Sequence, residues 1–126
     1  MTAARFAGRR ILVVEDEMLI AACIEEILQN LGCIVVGPAG RLDTALRLAA
    51  DEALDAAVLD VNIRGEQVYP VAEKLIQRRI PFVLASGYGN WALPEAFRDQ
   101  PRLTKPFTHK QLVEQVTRLF SGHGVC

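Results

Sequence analysis

Short apolar runs that alternate with longer amphipathic stretches leave this chain few folds to choose from. Ile11-Leu12-Val13-Val14 is an unbroken β-branched run that stops at Glu15-Asp16-Glu17, the pattern of a strand buried on both faces in a parallel sheet. From Glu17 to Leu31 the residues Leu19, Ile20, Cys23, Ile24, Ile27, Leu28 and Leu31 recur at helical steps, and Gly32 follows as a C-cap. Cys33 to Val36 reads as a second strand closed by Gly37-Pro38, and Leu42, Ala45, Leu46 and Ala49 form the stripe of a second helix. Ala56 to Leu59 makes a third strand that ends at Asp60.

The alternation continues to the end of the chain. Pro70 suits the first turn of a helix whose apolar face is Val71, Leu75 and Ile76, and Pro81 lies just past its end. Phe82 to Ala85 is the fourth strand and Arg102 to Thr104 a short fifth one. Thr108 with Gln111 forms a capping box for a last helix with the stripe Leu112, Val116, Leu119 and Phe120. Ser86 and Lys105 are only 105 − 86 = 19 positions apart, and Pro94 and Pro101 interrupt that span, so helix four is expected to be short or distorted. Strands joined by helical crossovers require right-handed connections, which predicts an α/β fold, (βα)5, with a doubly wound five-stranded parallel sheet. Ligands of such sheets bind at the carboxyl ends of the strands.

Composition narrows the function classes. The 126 residues are the length of one domain and show no internal repeat or low-complexity linker. Fourteen basic residues against 15 acidic ones give a formal charge of −1, which provides no broad field for a nucleic acid or an anionic membrane. The apolar run at Ile11–Val14 is too short for a signal sequence or a membrane span. Cys23, Cys33 and Cys126 are an odd set without metal-ligand spacing, and the first two lie in apolar segments; buried free thiols in a reducing cytosol are expected. His109 and His123 are not spaced as a metal pair and are expected to be exposed, and Trp91 and Phe97 are expected in lid or core packing.

The chemistry is concentrated at strand ends. Glu15 and Asp16 follow strand one, Asp60 ends strand three, Ser86 follows strand four and Lys105 follows strand five. Carboxylates about 4 to 6 Å apart repel by roughly one to a few kcal/mol, and a hard divalent cation is the natural compensation. Magnesium, or manganese, suits Asp16 and Asp60 with further oxygen ligands. A carboxylate can attack phosphorus in line, and Asp60 is the expected nucleophile. The metal, the Ser86 hydroxyl and the Lys105 ammonium would each neutralise a phosphoryl oxygen.

Three rival readings address the same residues. A flavin or nucleotide module wants a donor-rich loop after strand one, where Glu15-Asp16-Glu17 has the wrong charge. An aspartate phosphatase commonly places a second aspartate two residues past its nucleophile, where this chain has Asn62. A pure interaction module would not react with small phosphodonors.

Ile11 to Glu17, Val58-Leu59-Asp60-Val61-Asn62, Ala85-Ser86-Gly87 and Lys105-Pro106-Phe107 together resemble the receiver domain of two-component response regulators. The likeness spans about residues 9–120, so residues 1–126 read as a single receiver domain with no room for an output domain. It implies a flavodoxin-like strand order of 2-1-3-4-5 and a phosphoacceptor signalling domain rather than an enzyme acting on other substrates. By the same likeness Asp60 is the phosphoacceptor, Glu15 and Asp16 the acidic pair, Ser86 the switch hydroxyl and Lys105 the companion lysine. The Asn62 backbone carbonyl would contact the metal, the Glu15 contact would be water-mediated, and Lys105-Pro106 would be cis. The implied partners are a sensor histidine kinase or a histidine phosphotransfer protein, with an unknown downstream protein, in the cytoplasm. Pro81 to Gly89 and Val68 to Ala72 further resemble the stand-alone alphaproteobacterial receivers of the FATGUY type. Arg102 departs from the family, standing where many receivers carry an aromatic switch residue, and Tyr88 is the expected replacement as a lid over the site.

Overall fold

The computed structural model describes residues 5–87 and 93–121. In chain order these form β1 (Arg10–Val14), α1 (Met18–Asn30), β2 (Ile34–Ala39), α2 (Leu42–Asp51), β3 (Ala56–Asp60), β4 (Asn62–Ile63), β5 (Glu66–Gln67), α3 (Tyr69–Gln77), β6 (Phe82–Ser86), β7 (Arg102–Thr104) and α4 (His109–Ser121). The main sheet is parallel with the order β2-β1-β3-β6-β7. Once the small β4–β5 hairpin is set aside, this is the expected 2-1-3-4-5.

Strand alternation divides the core into two layers. Leu12, Val14, Ala57, Leu59, Phe82 and Leu84 face α2 and α3, while Ile11, Val13, Ala56, Val58, Val83 and Ala85 face α1 and α4. All of these are buried, so the central strands need apolar residues at every position. Fully burying a Val, Leu, Ile or Phe stabilises by roughly 1.5 to 3 kcal/mol, and this continuous burial holds the strand ends in register.

Several local expectations need correction. Strand β2 does not close at Gly37-Pro38 but runs on to Ala39, with a register irregularity opposite Leu12 and Val14. An edge strand tolerates proline because one side of it makes no ladder bonds. Gly37 has φ +103, and a Cβ there would lie 2.9 Å from both the Val13 carbonyl oxygen and the Ala39 nitrogen. The Cys23 thiol is exposed rather than buried, while Cys33 is buried as expected. The buried side of α1 is Ala21, Ile24 and Leu28, which leaves Leu19 at 84% exposure; Ile76 of α3 is also open to solvent.

Between β6 and β7 the described residues hold a 3-10 turn at Glu95–Phe97 in place of a full helix four. Pro94 precedes this turn, and Phe97 is buried and stacked on Tyr69 with ring centroids 5.0 Å apart. The Thr108–Gln111 capping box is present: the Thr108 N–H donates to Gln111 Oε1 at 2.8 Å and the Gln111 N–H to Thr108 Oγ1 at 3.1 Å. Arg64 and Gly65, with φ of 54 and 84, make the two-residue turn of the β4–β5 hairpin.

Gly37→Ala should therefore lower the unfolding free energy by about 2 kcal/mol, since it combines a left-handed φ with a backbone clash. Urea denaturation of the purified chain checks this.

Candidate functional site

The sheet register converts residues scattered along the chain into one cluster. Asp60 pairs with Ala85 across β3 and β6, which places Ser86 one step beyond it. Ser86 in turn pairs with Thr104, and the Lys105 N–H donates to the Ser86 carbonyl at 2.8 Å. On the other side Val14 pairs with Leu59, so Glu15 leaves β1 beside the end of β3. The Glu15 N–H donates to the Ala39 carbonyl at 3.0 Å, and the unexpected extension of β2 thus reaches the site.

Glu15, Asp16 and Asp60 bring carboxylate oxygens within 4.8 Å of one another. Lys105 Nζ donates to Asp60 Oδ2 at 2.9 Å and lies 3.0 Å from Glu15 Oε1. Glu15, Asp60 and Ser86 are the buried polar residues among those described, at 3%, 6% and 5% exposure. The remaining carboxylate oxygens are met by the backbone: the Asn62 N–H donates to Asp60 Oδ1 at 3.1 Å and the Glu17 N–H to Glu15 Oε2 at 3.1 Å.

Burial pushes the Glu15 carboxyl up to about 7, although the Glu17 N–H and Lys105 both favour its ionised form. Burial alone would lower the Lys105 ammonium, but hydrogen bonds to Asp60 and Glu15 outweigh it and raise the group above its ordinary value. With all groups ionised, three carboxylates against one ammonium leave a net −2. Hard oxygen donors carrying excess negative charge fit a hard divalent cation.

Sequence reasoning missed two features here. The Lys105–Glu15 ion pair has no signal in the spacing, because the two residues come from opposite ends of the chain. The β4–β5 hairpin anchors Asp16: the Arg64 N–H donates to Asp16 Oδ2 at 2.9 Å. The Asn62 side chain, whose role the sequence left open, braces the same turn by accepting the Gly65 N–H at 2.8 Å. An Arg-Gly pair after Asn62-Ile63 is a weak turn signal beside the usual Asn-Gly. Arg102 donates through Nη1 to the Arg98 carbonyl at 2.6 Å and so braces the β6–β7 crossover. Lys105-Pro106 is cis, as the family likeness implied. His109 is exposed, whereas Tyr88, Trp91, His123 and Cys126 lie outside the described residues.

Comparison with known proteins places this geometry in a family. Residues 11–117 match the response regulator receiver domain, a signalling domain. The transcriptional regulatory protein PdtaR of Mycobacterium tuberculosis is 31% identical over 86% of this chain and 55% of its own length. The chain spans about half the length of the curated relatives it matches. Among solved structures, SdrG from Sphingomonas melonis Fr1 is 43% identical, covers 90% of this chain and 98% of its own, and superposes with a TM-score of 0.79. The receiver domain of the sensor histidine kinase PA1611 from Pseudomonas aeruginosa, solved with a magnesium ion in its active-site cleft, is 26% identical over 91% of this chain and all of its own, with a TM-score of 0.72. With the strand order, the acidic cluster and the lysine in place, the chain belongs to the response regulator receiver domain family of two-component systems.

Proposed function

We propose that this receiver domain accepts a phosphoryl group on Asp60 from a phosphohistidine of a sensor kinase or phosphotransfer protein, in a reaction that needs Mg2+ or Mn2+. It then signals by protein–protein contact from a cytoplasmic location. The observation that carries this reading is the pair of hydrogen bonds at the Asp60 carboxylate, one from the Lys105 ammonium and one from the Asn62 N–H, beside two further carboxylates.

Asp16 and Asp60, with Glu15 and the Asn62 backbone carbonyl, are the residues that would hold the cation. When bound, it neutralises charge on the carboxylates and on the transferring phosphoryl group. The chain's own residues do the rest. Asp60, fixed by two donors, presents a carboxylate oxygen for in-line attack on phosphorus; the P–O bond forms as the P–N bond to the donor imidazole breaks, and the ring leaves as neutral imidazole, keeping the proton already on its other nitrogen. Lys105 and the Ser86 hydroxyl take phosphoryl oxygens as they shift onto Asp60. Glu15 keeps Lys105 in place through its own ion pair, so the ammonium remains oriented when Asp60 becomes an acyl phosphate.

Support for a protein partner comes from the rim of the site. Met18 and Leu19 are 85% and 84% exposed at the start of α1. Beside them an apolar groove of about 410 Å³ is lined by Leu19, Ile20, Cys23, Pro106 and Phe107 and includes Lys105. Exposed apolar surface bordering a reactive group suits a docked helix better than a small solute. No helix among the described residues is long and apolar enough to cross a membrane.

Incubation with acetyl phosphate and Mg2+ should add the mass of one phosphoryl group to the intact chain, and Asp60→Asn should abolish the gain. Lys105→Ala should slow the transfer by roughly 100-fold, the usual cost of removing one charge-stabilising donor. An unchanged mass gain in Asp60→Asn would refute Asp60 as the acceptor.

Metal-free protein should also become less stable as pH rises. Because the Glu15 carboxyl is raised from 4.5 to about 7, the native state binds more protons than the unfolded state between those values, and stability falls with rising pH. Relative to Glu15→Gln, the loss should be about 2 to 3 kcal/mol by urea denaturation across that window. Mg2+ favours the ionised form and should restore stability at the upper end.

A further inference from the structure

The carboxyl ends of the strands hold the acidic cluster, while the opposite end of the sheet carries a groove that the phosphoryl chemistry does not use. Ile76 and Ile80 at the end of α3, Pro101 ahead of β7 and Leu119 near the end of α4 line a groove of about 460 Å³, rimmed by Arg79 and Arg118. No acidic residue lines it, and among the described residues neither guanidinium joins an ion pair.

Two independent features mark this surface. Ile76 is 47% exposed, beside a crossover whose described residues hold a 3-10 turn rather than a helix packed along α3. The second feature is backbone strain at Arg79. Helix α3 ends in a Schellman motif, with the Ile80 N–H donating to the Leu75 carbonyl at 2.9 Å and the Arg79 N–H to the Ile76 carbonyl at 3.0 Å. Arg79 thereby adopts φ +61 at the position where glycine is usual. An arginine there costs stability that a glycine would not, and its cation stands at the rim of the groove.

We propose that this groove docks an acidic, apolar segment of a partner protein, with aliphatic side chains against Ile76 and Pro101 and carboxylates on Arg79 and Arg118. The surface lies at the pole opposite Asp60, so a partner seated there leaves the phosphoacceptor open to its donor. This assignment goes beyond the phosphoryl chemistry and does not depend on it.

The test uses the full chain, labelled with nitrogen-15, and two synthetic peptides of equal length. One is built from Glu, Asp, Leu and Ile, and the other carries Lys in place of each acid. The acidic peptide should shift the amides of Ile76, Arg79, Ile80 and Leu119 saturably and bind about tenfold more tightly than the lysine peptide. The Arg79→Glu/Arg118→Glu double variant should lose about tenfold in affinity for it. Arg79→Gly relieves the left-handed strain, so it should weaken binding while its unfolding midpoint stays level or rises, which separates lost recognition from lost folding. Equal binding of both peptides, shifts confined to other surfaces, or an unaffected double variant would overturn the proposal. So would a dimer in sedimentation equilibrium that Arg79→Glu abolishes, because the occupant would then be a second copy of the chain.

Discussion

The ammonium of Lys105, shared between the nearly buried carboxylates of Glu15 and Asp60, is the interaction on which the site depends. Two carboxylates this deeply buried and this close repel strongly, and one of them would take up a proton without a compensating cation. A lysine at the end of β7 reaches both the end of β1 and the end of β3, and so joins strands that are not neighbours in the sheet. Once such a charge network is buried, removing one partner costs more than the pairing itself contributes, so fold and site become a single electrostatic problem.

The sheet supplies the precision that this problem needs. The central strands β1, β3 and β6 are buried on both faces, so a shift by one residue would exchange the side chains of the two layers and spoil the packing of each. Asp60 therefore meets Ala85, Ser86 lies one step further, and the Lys105 N–H closes on the Ser86 carbonyl. The β4–β5 hairpin adds a second layer of control: through the Arg64 N–H it fixes Asp16, and through Asn62 it fixes both its own turn and Asp60. The opposite pole of the molecule is different in character, arginine-rimmed and apolar, which suits contact with another protein.

Local signals carried most of the architecture. The run Ile11–Val14, the stripe Ile24 and Leu28, the Thr108–Gln111 capping box and the short strand Arg102–Thr104 all read correctly, because each depends on neighbours within a few residues. The errors lie where local chemistry is ambiguous. Gly37-Pro38 looked like a strand end, but at the sheet edge a proline sacrifices no ladder bond. Leu19 and Cys23 fit the helical stripe of α1, yet the buried side passes through Ala21 instead, since the rotation of a helix about its axis is set by what it packs against. The hairpin after Asp60 escaped notice because Arg64-Gly65 lacks the usual side chain for a left-handed turn.

By itself the sequence determined the element types, their alternation and which reactive side chains stand at strand ends, since hydrophobic period and capping act over one or two turns of chain. Only the tertiary structure decided that Lys105 serves Glu15 as well as Asp60, that a hairpin amide holds Asp16, and that the Glu15 carboxyl is pushed up to about 7. The reason is that Coulomb energy and desolvation depend on distance through space and on the water excluded by packing, and neither quantity is written in the spacing of residues along the chain.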